Sequence, residues 1–170
     1  KKQSHNFKFI LVFSFLSLWL ISGLFLDGWA HAHVKGLDTF FSPWHGYYFG
    51  GFSVLAGYLY LTIFLNYLKT RQLKKSIPIH FFPATIGVIF FASYRHTFFG
   101  FEKSIEALIS PTHLLLFLGL FLIFLSPLNY VLFESKGKSW RFYLVFVISV
   151  SVFFSYFTFL TEYVNPLISP

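Results

Sequence analysis

Asp27, His31 and His45 are the residues of this chain best placed to do chemistry. Asp27 and His31 stand four apart, the spacing that sets two side chains one turn apart on one helix face, provided the helix continues through Gly28. His45 follows after thirteen intervening residues, where the next apolar run begins. Two imidazoles and a carboxylate form a ligand set for copper(II), zinc or non-haem iron, with positions left open for water or substrate. For His33, in the same stretch, three roles stand open: a fourth ligand, a partner behind the ligands, or an interfacial histidine facing water. The bland alternative is that each histidine bonds only water or headgroups, and that Asp27 caps the helix or pairs with Lys35.

A second gathering lies at residues 95–113, with Arg95, His96, Glu102, Glu106 and His113. A second metal site would draw on His96, His113 and one of the acids. Arg95 opposes it, because a nearby cation competes with a metal for the same carboxylates, and an ion pair to Glu102 or Glu106 is the structural role it would take instead. The two regions echo each other. Ser42-Pro43-Trp44-His45 matches Ser110-Pro111-Thr112-His113, and a glycine follows six residues beyond each histidine, at Gly51 and Gly119. In each copy Ser is placed as N-cap, Pro as the first helical residue and His as the third. The positive end of the helix dipole disfavours imidazolium there and keeps the ring in the neutral form that binds metals.

Long helices must position these residues. Hydrophobic side chains make up 56% of the chain and charged ones only 11%, and Phe alone occurs 27 times. Mean hydropathy is +0.66. Apolar runs near the length of about 20 residues that a membrane span requires occur at residues 9–26, 44–68, 79–99, 112–133 and 142–163. The expectation is an all-α integral membrane protein, residues 1–170 forming a single transmembrane domain of five helices. The first four read as a parallel duplication of a helix pair. A signal peptide is the competing reading of the first run, but the run is long for one and no small-x-small cleavage site follows before the polar cluster. Pro127 is expected to kink the fourth helix. Residues 28–42 are expected to form the first connection.

Charge sets the orientation. Of the 13 Lys and Arg, only Lys35, Arg95 and Lys103 fall on one side of the alternating spans. The other side carries the rest, so the N-terminus is expected in the cytoplasm and the C-terminus outside. Five histidines, His31, His33, His45, His96 and His113, then fall at the outer face of the cell membrane. The net charge of +7 belongs to these span ends and gives no reason to expect nucleic acid as a partner. With no Cys and no Met, the chain has no thiolate site, no disulfide and no methionine-lined copper(I) path.

The pattern Asp-Gly-x-x-His followed by Ser-Pro-x-His resembles the C subunit of the copper membrane monooxygenases, the particulate methane and ammonia monooxygenases. The resemblance covers roughly residues 24–121. It implies copper held by Asp27, His31 and His45 near the outer membrane face. It also implies a second set that would bring in His96 and His113. The family's Asn in that set falls on Ala92 here. The activity implied is dioxygen activation to oxidise a small substrate such as ammonia or a hydrocarbon, within a hetero-oligomeric membrane complex and with electrons from outside this chain. Two other functions stand beside it. One is a non-catalytic membrane metal-binding or assembly subunit; the other is a proton- or ion-conducting protein with the outer His and acids as a relay. The absence of mid-membrane acids in the second, fourth and fifth spans weighs against the relay.

Overall fold

The computed structural model describes residues 2–34, 42–71, 111–134 and 139–162, apart from the side chains of residues 2–6, 31, 32, 111–113, 134 and 162. Within these residues the chain forms α1 (Lys2–His33), α2 (Pro43–Thr70), α3 (Pro111–Asn129), a π-helical turn (Tyr130–Glu134) and α4 (Trp140–Glu162). Strands are absent among the described residues. The expected third span, residues 79–99, lies outside them.

Four stretches are long and apolar enough to cross a membrane: Phe7–Ala30, Pro43–Thr70, Leu114–Phe133 and Trp140–Thr161, with mean hydropathies from 1.5 to 2.4. Their sides stay apolar even where exposed, as at Leu61, Phe64, Leu65 and Leu68 on α2 and Val147 and Phe154 on α4. A helix apolar all round belongs in lipid. The chain is thus a multi-pass membrane protein on the length and composition of its helices, and all-helical among the described residues.

Three of the buried serines that interrupt the spans turn back on their own helix. Ser14 and Ser17 donate to the carbonyls of Ile10 and Phe13 at 2.8 and 2.9 Å, and Ser149 donates to Val145 O at 2.7 Å. This satisfies the hydroxyls where no water is at hand. They need no functional explanation.

Two elements extend beyond their expected bounds. α1 begins at Lys2 and runs to His33, so the basic tail and the stretch through Gly28 are helical, and the first connection starts only after His33. A glycine inside a helix costs only about 1 kcal/mol relative to Ala, whereas unwinding backbone at membrane depth would leave polar groups unmet. The condition for placing Asp27 and His31 on one face is therefore met. α2 begins as expected. Ser42 is the N-cap, with φ −94° and ψ 156°, and Pro43 is the first helical residue. It ends at Arg71, in the left-handed region at φ 53°, whose N–H donates to Tyr67 O. The break in α3 takes the form of a widened turn. Pro127 has no N–H for the i−4 carbonyl, and the π turn follows within three residues.

α1 and α2 pack as an antiparallel pair, paired ring on ring from Phe9 against Tyr58, through Trp19 against Tyr47, to Trp29 against Trp44. Two glycines allow the close approach. A Cβ on Gly23 would lie 2.8 Å from the Tyr48 Cα, and one on Gly51 would lie 3.1 Å from the Trp19 ring. The glycine six residues beyond His45 thus makes room for an indole. α3 and α4 form a second antiparallel pair, from Phe117 against Phe159 to Phe124 against Tyr156. The Tyr156 hydroxyl donates to Phe117 O at 2.7 Å. Phe25 meets Phe159 edge-on at 5.4 Å and joins the pairs. The end of α1, the starts of α2 and α3 and the end of α4 therefore share one end of the bundle, and α2 finishes at the other. Between them lies a core built on Phe13, Leu20, Leu55, Leu59, Ile123, Phe124 and Val152.

Candidate metal centre

Asp27 and His45 meet where α1 passes the first turn of α2. The Asp27 carboxylate oxygen Oδ1 lies 3.5 Å from His45 Nδ1, with side-chain exposures of 15% and 7%. The meeting brings together two of the three residues expected as ligands of the first site. The packing around it explains why the two are brought together. Gly23, one turn before Asp27, lets Tyr48, one turn after His45, press against α1, so the helices are closest just inside the pair.

The N-cap holds the imidazole. Ser42 Oγ accepts from the backbone N–H of His45 at 3.2 Å and also lies 2.8 Å from its ring Nδ1. A residue read from sequence only as a cap is thus also the partner that fixes the ring's rotation. The ring lies flat against Phe49, with centroids 6.1 Å apart. His45 is consequently held by backbone, hydroxyl and aromatic contacts before any ligand is considered.

The other expected ligands fall as follows. His31 is helical and one turn beyond Asp27, and its side chain lies outside the described residues. His33 is exposed, with Nδ1 2.9 Å from Trp29 O and its ring stacked on Trp29 at 5.0 Å. A carbonyl only accepts, so Nδ1 carries the proton of that bond. His33 is thus turned to its own helix and not gathered with Asp27 and His45. His113 is the third residue of α3, as expected, with its side chain outside the described residues. His96, Arg95, Glu102 and Glu106 also lie outside them. Among the described residues no three His, Asp or Glu side chains form a cluster that would hold an ion.

Two donors from adjacent helices nevertheless fit a metal. Donor atoms on one tetrahedral ion at about 2.0–2.1 Å stand about 3.3–3.4 Å apart, close to the separation of Asp27 Oδ1 and His45 Nδ1, and ligation through Nδ1 would require Ser42 Oγ to give up its contact with that atom. The pair equally fits a histidine that ligates through Nε2 with a carboxylate behind Nδ1, a common arrangement around metals. His31 is the natural further donor, from its place on α1: the third beside Asp27 and His45 in the first case, the second beside His45 in the other.

The residue that sequence reading missed is Tyr48. Its side chain is 5% exposed, three residues after His45 on the face of α2 that meets α1, and within electrostatic reach of Asp27 and Tyr156. The available signal was its spacing of three from His45, which places both on one face of α2. No protein-family model, curated protein or solved structure matches this chain.

Proposed function

We propose that this chain is the metal-binding subunit of a membrane monooxygenase-type complex, with a copper ion held by Asp27, His31 and His45 at the outer end of the bundle. The observation that carries the reading is the approach of Asp27 to a buried His45 across two adjacent helices, in a chain with only six acids. Ionisable groups at membrane depth are costly and mark function by default. The resemblance of Asp27-Gly28-x-x-His31 and Ser42-Pro43-x-His45 to the copper family selects copper over zinc and iron. Bound copper would supply dioxygen activation toward ammonia or a small hydrocarbon. The chain's own residues bind and orient the ion, and partner subunits of the complex deliver electrons.

In this reading the N-terminus is cytoplasmic and the shared end of α1, α2, α3 and α4 faces outward, as the Lys and Arg distribution supports. The five-span arrangement draws support from α2 finishing and α3 starting at opposite ends of the bundle. His96 and His113 are the candidates for a second metal set. A second reading is favoured by Ala92, which stands in the place of that set's Asn. It keeps the first site in a non-catalytic metal-binding or assembly subunit.

Metal analysis of protein purified from native membranes tests the proposal. Stoichiometric copper in the wild type, lost in His31→Ala and His45→Ala, is the expected result. Wild-type protein that retains its helices without any metal would sink both readings. Co-purification of monooxygenase-type subunits, or their absence, then separates the first reading from the second.

A further inference from the structure

The Tyr48 hydroxyl is buried and has no hydrogen-bond partner among the described residues. Ser14, Ser17 and Ser149 bond their own helix and Tyr156 donates across to Phe117 O, whereas among the described residues the Tyr48 and Ser126 hydroxyls are left unmet, and of the two only Tyr48 lies beside Asp27 and His45. A buried phenol with an unmet O–H is an exception that calls for a partner. Its location narrows what that partner is. Gly23 packs against the Tyr48 backbone, so the residue is fixed in the α1/α2 seam. Being three residues along α2 from His45, it sits about 4.5 Å deeper in the bundle. Among the described residues, Asp27 and Tyr156 lie within its electrostatic reach.

Resting on the metal reading above, we infer that Tyr48 donates a hydrogen bond to the small exogenous oxygen or anionic ligand that completes the coordination of an ion held by Asp27 and His45. Tyr48 is then a contact for the incoming ligand and not a ligand of the ion. Tyr48 lies on the bundle-interior side of His45, so a ligand it contacts would be met from within the bundle. A small uncharged substrate would meet the ion there and not from the aqueous face. Asp27 and His45 hold the ion, whereas Tyr48 discriminates among what the ion binds.

Azide titration of copper(II)-loaded protein, followed by paramagnetic resonance and by the azide-to-copper charge-transfer band, tests this. Tyr48→Phe is expected to keep its helix content and full copper stoichiometry, with azide affinity weakened about tenfold, the size of one charge-assisted hydrogen bond. Tyr156→Phe, whose hydroxyl is already committed to Phe117 O, should bind azide as the wild type does. Equal azide affinity in copper-replete Tyr48→Phe and wild type would overturn the inference alone. Loss of copper in Tyr48→Phe would overturn it too, by making the tyrosine a prop or ligand of the ion. A wild type that takes up no copper would remove this inference and the metal reading together.

Discussion

The backbone of Tyr48 passes Gly23 so closely that even a methyl group at position 23 has no room, its carbon falling 2.8 Å from the Tyr48 Cα. The meeting of Asp27 with His45 one turn further on depends on that approach. Replacing Gly23 by Ala should push α1 from α2 and destabilise the bundle by about 1–3 kcal/mol, the usual range for overpacking a tight contact. Gly57→Ala, at a glycine inside α2 with nothing within 4 Å, should not destabilise and should gain up to about 1 kcal/mol. Denaturant unfolding in micelles, followed by helix content, measures both.

Ser42→Ala removes a helix cap and the ring's hydroxyl partner in one change. The cap alone is worth about 1 kcal/mol of stability. Loss of ring orientation should add a weakening of copper affinity of about 10- to 100-fold, the range seen when groups behind a metal ligand are removed. Ser42→Asp, which can still cap, should recover the stability; competition with a copper chelator reads the affinity.

Asp27 and His45 should be energetically coupled. In a double-mutant cycle built from Asp27→Asn and His45→Gln, the expected interaction energy in metal-free protein is about 0.5–3 kcal/mol. Additive losses would mean that the 3.5 Å approach carries no energy of its own. In copper-loaded protein the same cycle should show larger coupling, because both side chains then act through one ion.

Tyr156→Phe should cost about 1 kcal/mol, since its hydroxyl ties α4 to the Phe117 carbonyl on α3. The measurement is again unfolding in micelles. A change indistinguishable from zero would show that the bond is replaced within the bundle.

The chain contains no Cys, so single cysteines report orientation without background. Val34→Cys, just past the end of α1, should react with a membrane-impermeant maleimide in intact cells. Ser139→Cys, just before α4, should react only after the membrane is opened. The reverse pattern would invert the bundle and place the Asp27–His45 end in the cytoplasm.

Much of the bundle was legible because lipid leaves few choices. An apolar run of 20 residues can only be a helix, and Ser42-Pro43 can hardly be anything but a helix start. The continuation of α1 through Gly28 was not legible from propensity, since it depends on the backbone having no better partner at that depth. The meeting of Asp27 with His45 was foreseeable as part of a ligand set; the grip of Ser42 on the imidazole ring was not. Tyr48 was hidden for a different reason. Among 27 Phe and 10 Tyr, one more aromatic carries no signal until its neighbours across α1 and α4 are known.

α1 extends for 32 residues, about 48 Å of helix, whereas the hydrocarbon core is about 30 Å thick. Its apolar stretch ends at Ala30, only one turn past Asp27. The Asp27–His45 pair therefore stands at the boundary where a few ångströms of acyl chain decide between oil and water. A thicker bilayer would draw the pair into hydrocarbon, and a thinner one would leave it wet or tilt the helix more. Hydrophobic mismatch makes the host lipid a tuning element of the site, so its ion affinity should shift with acyl-chain length while every residue stays the same.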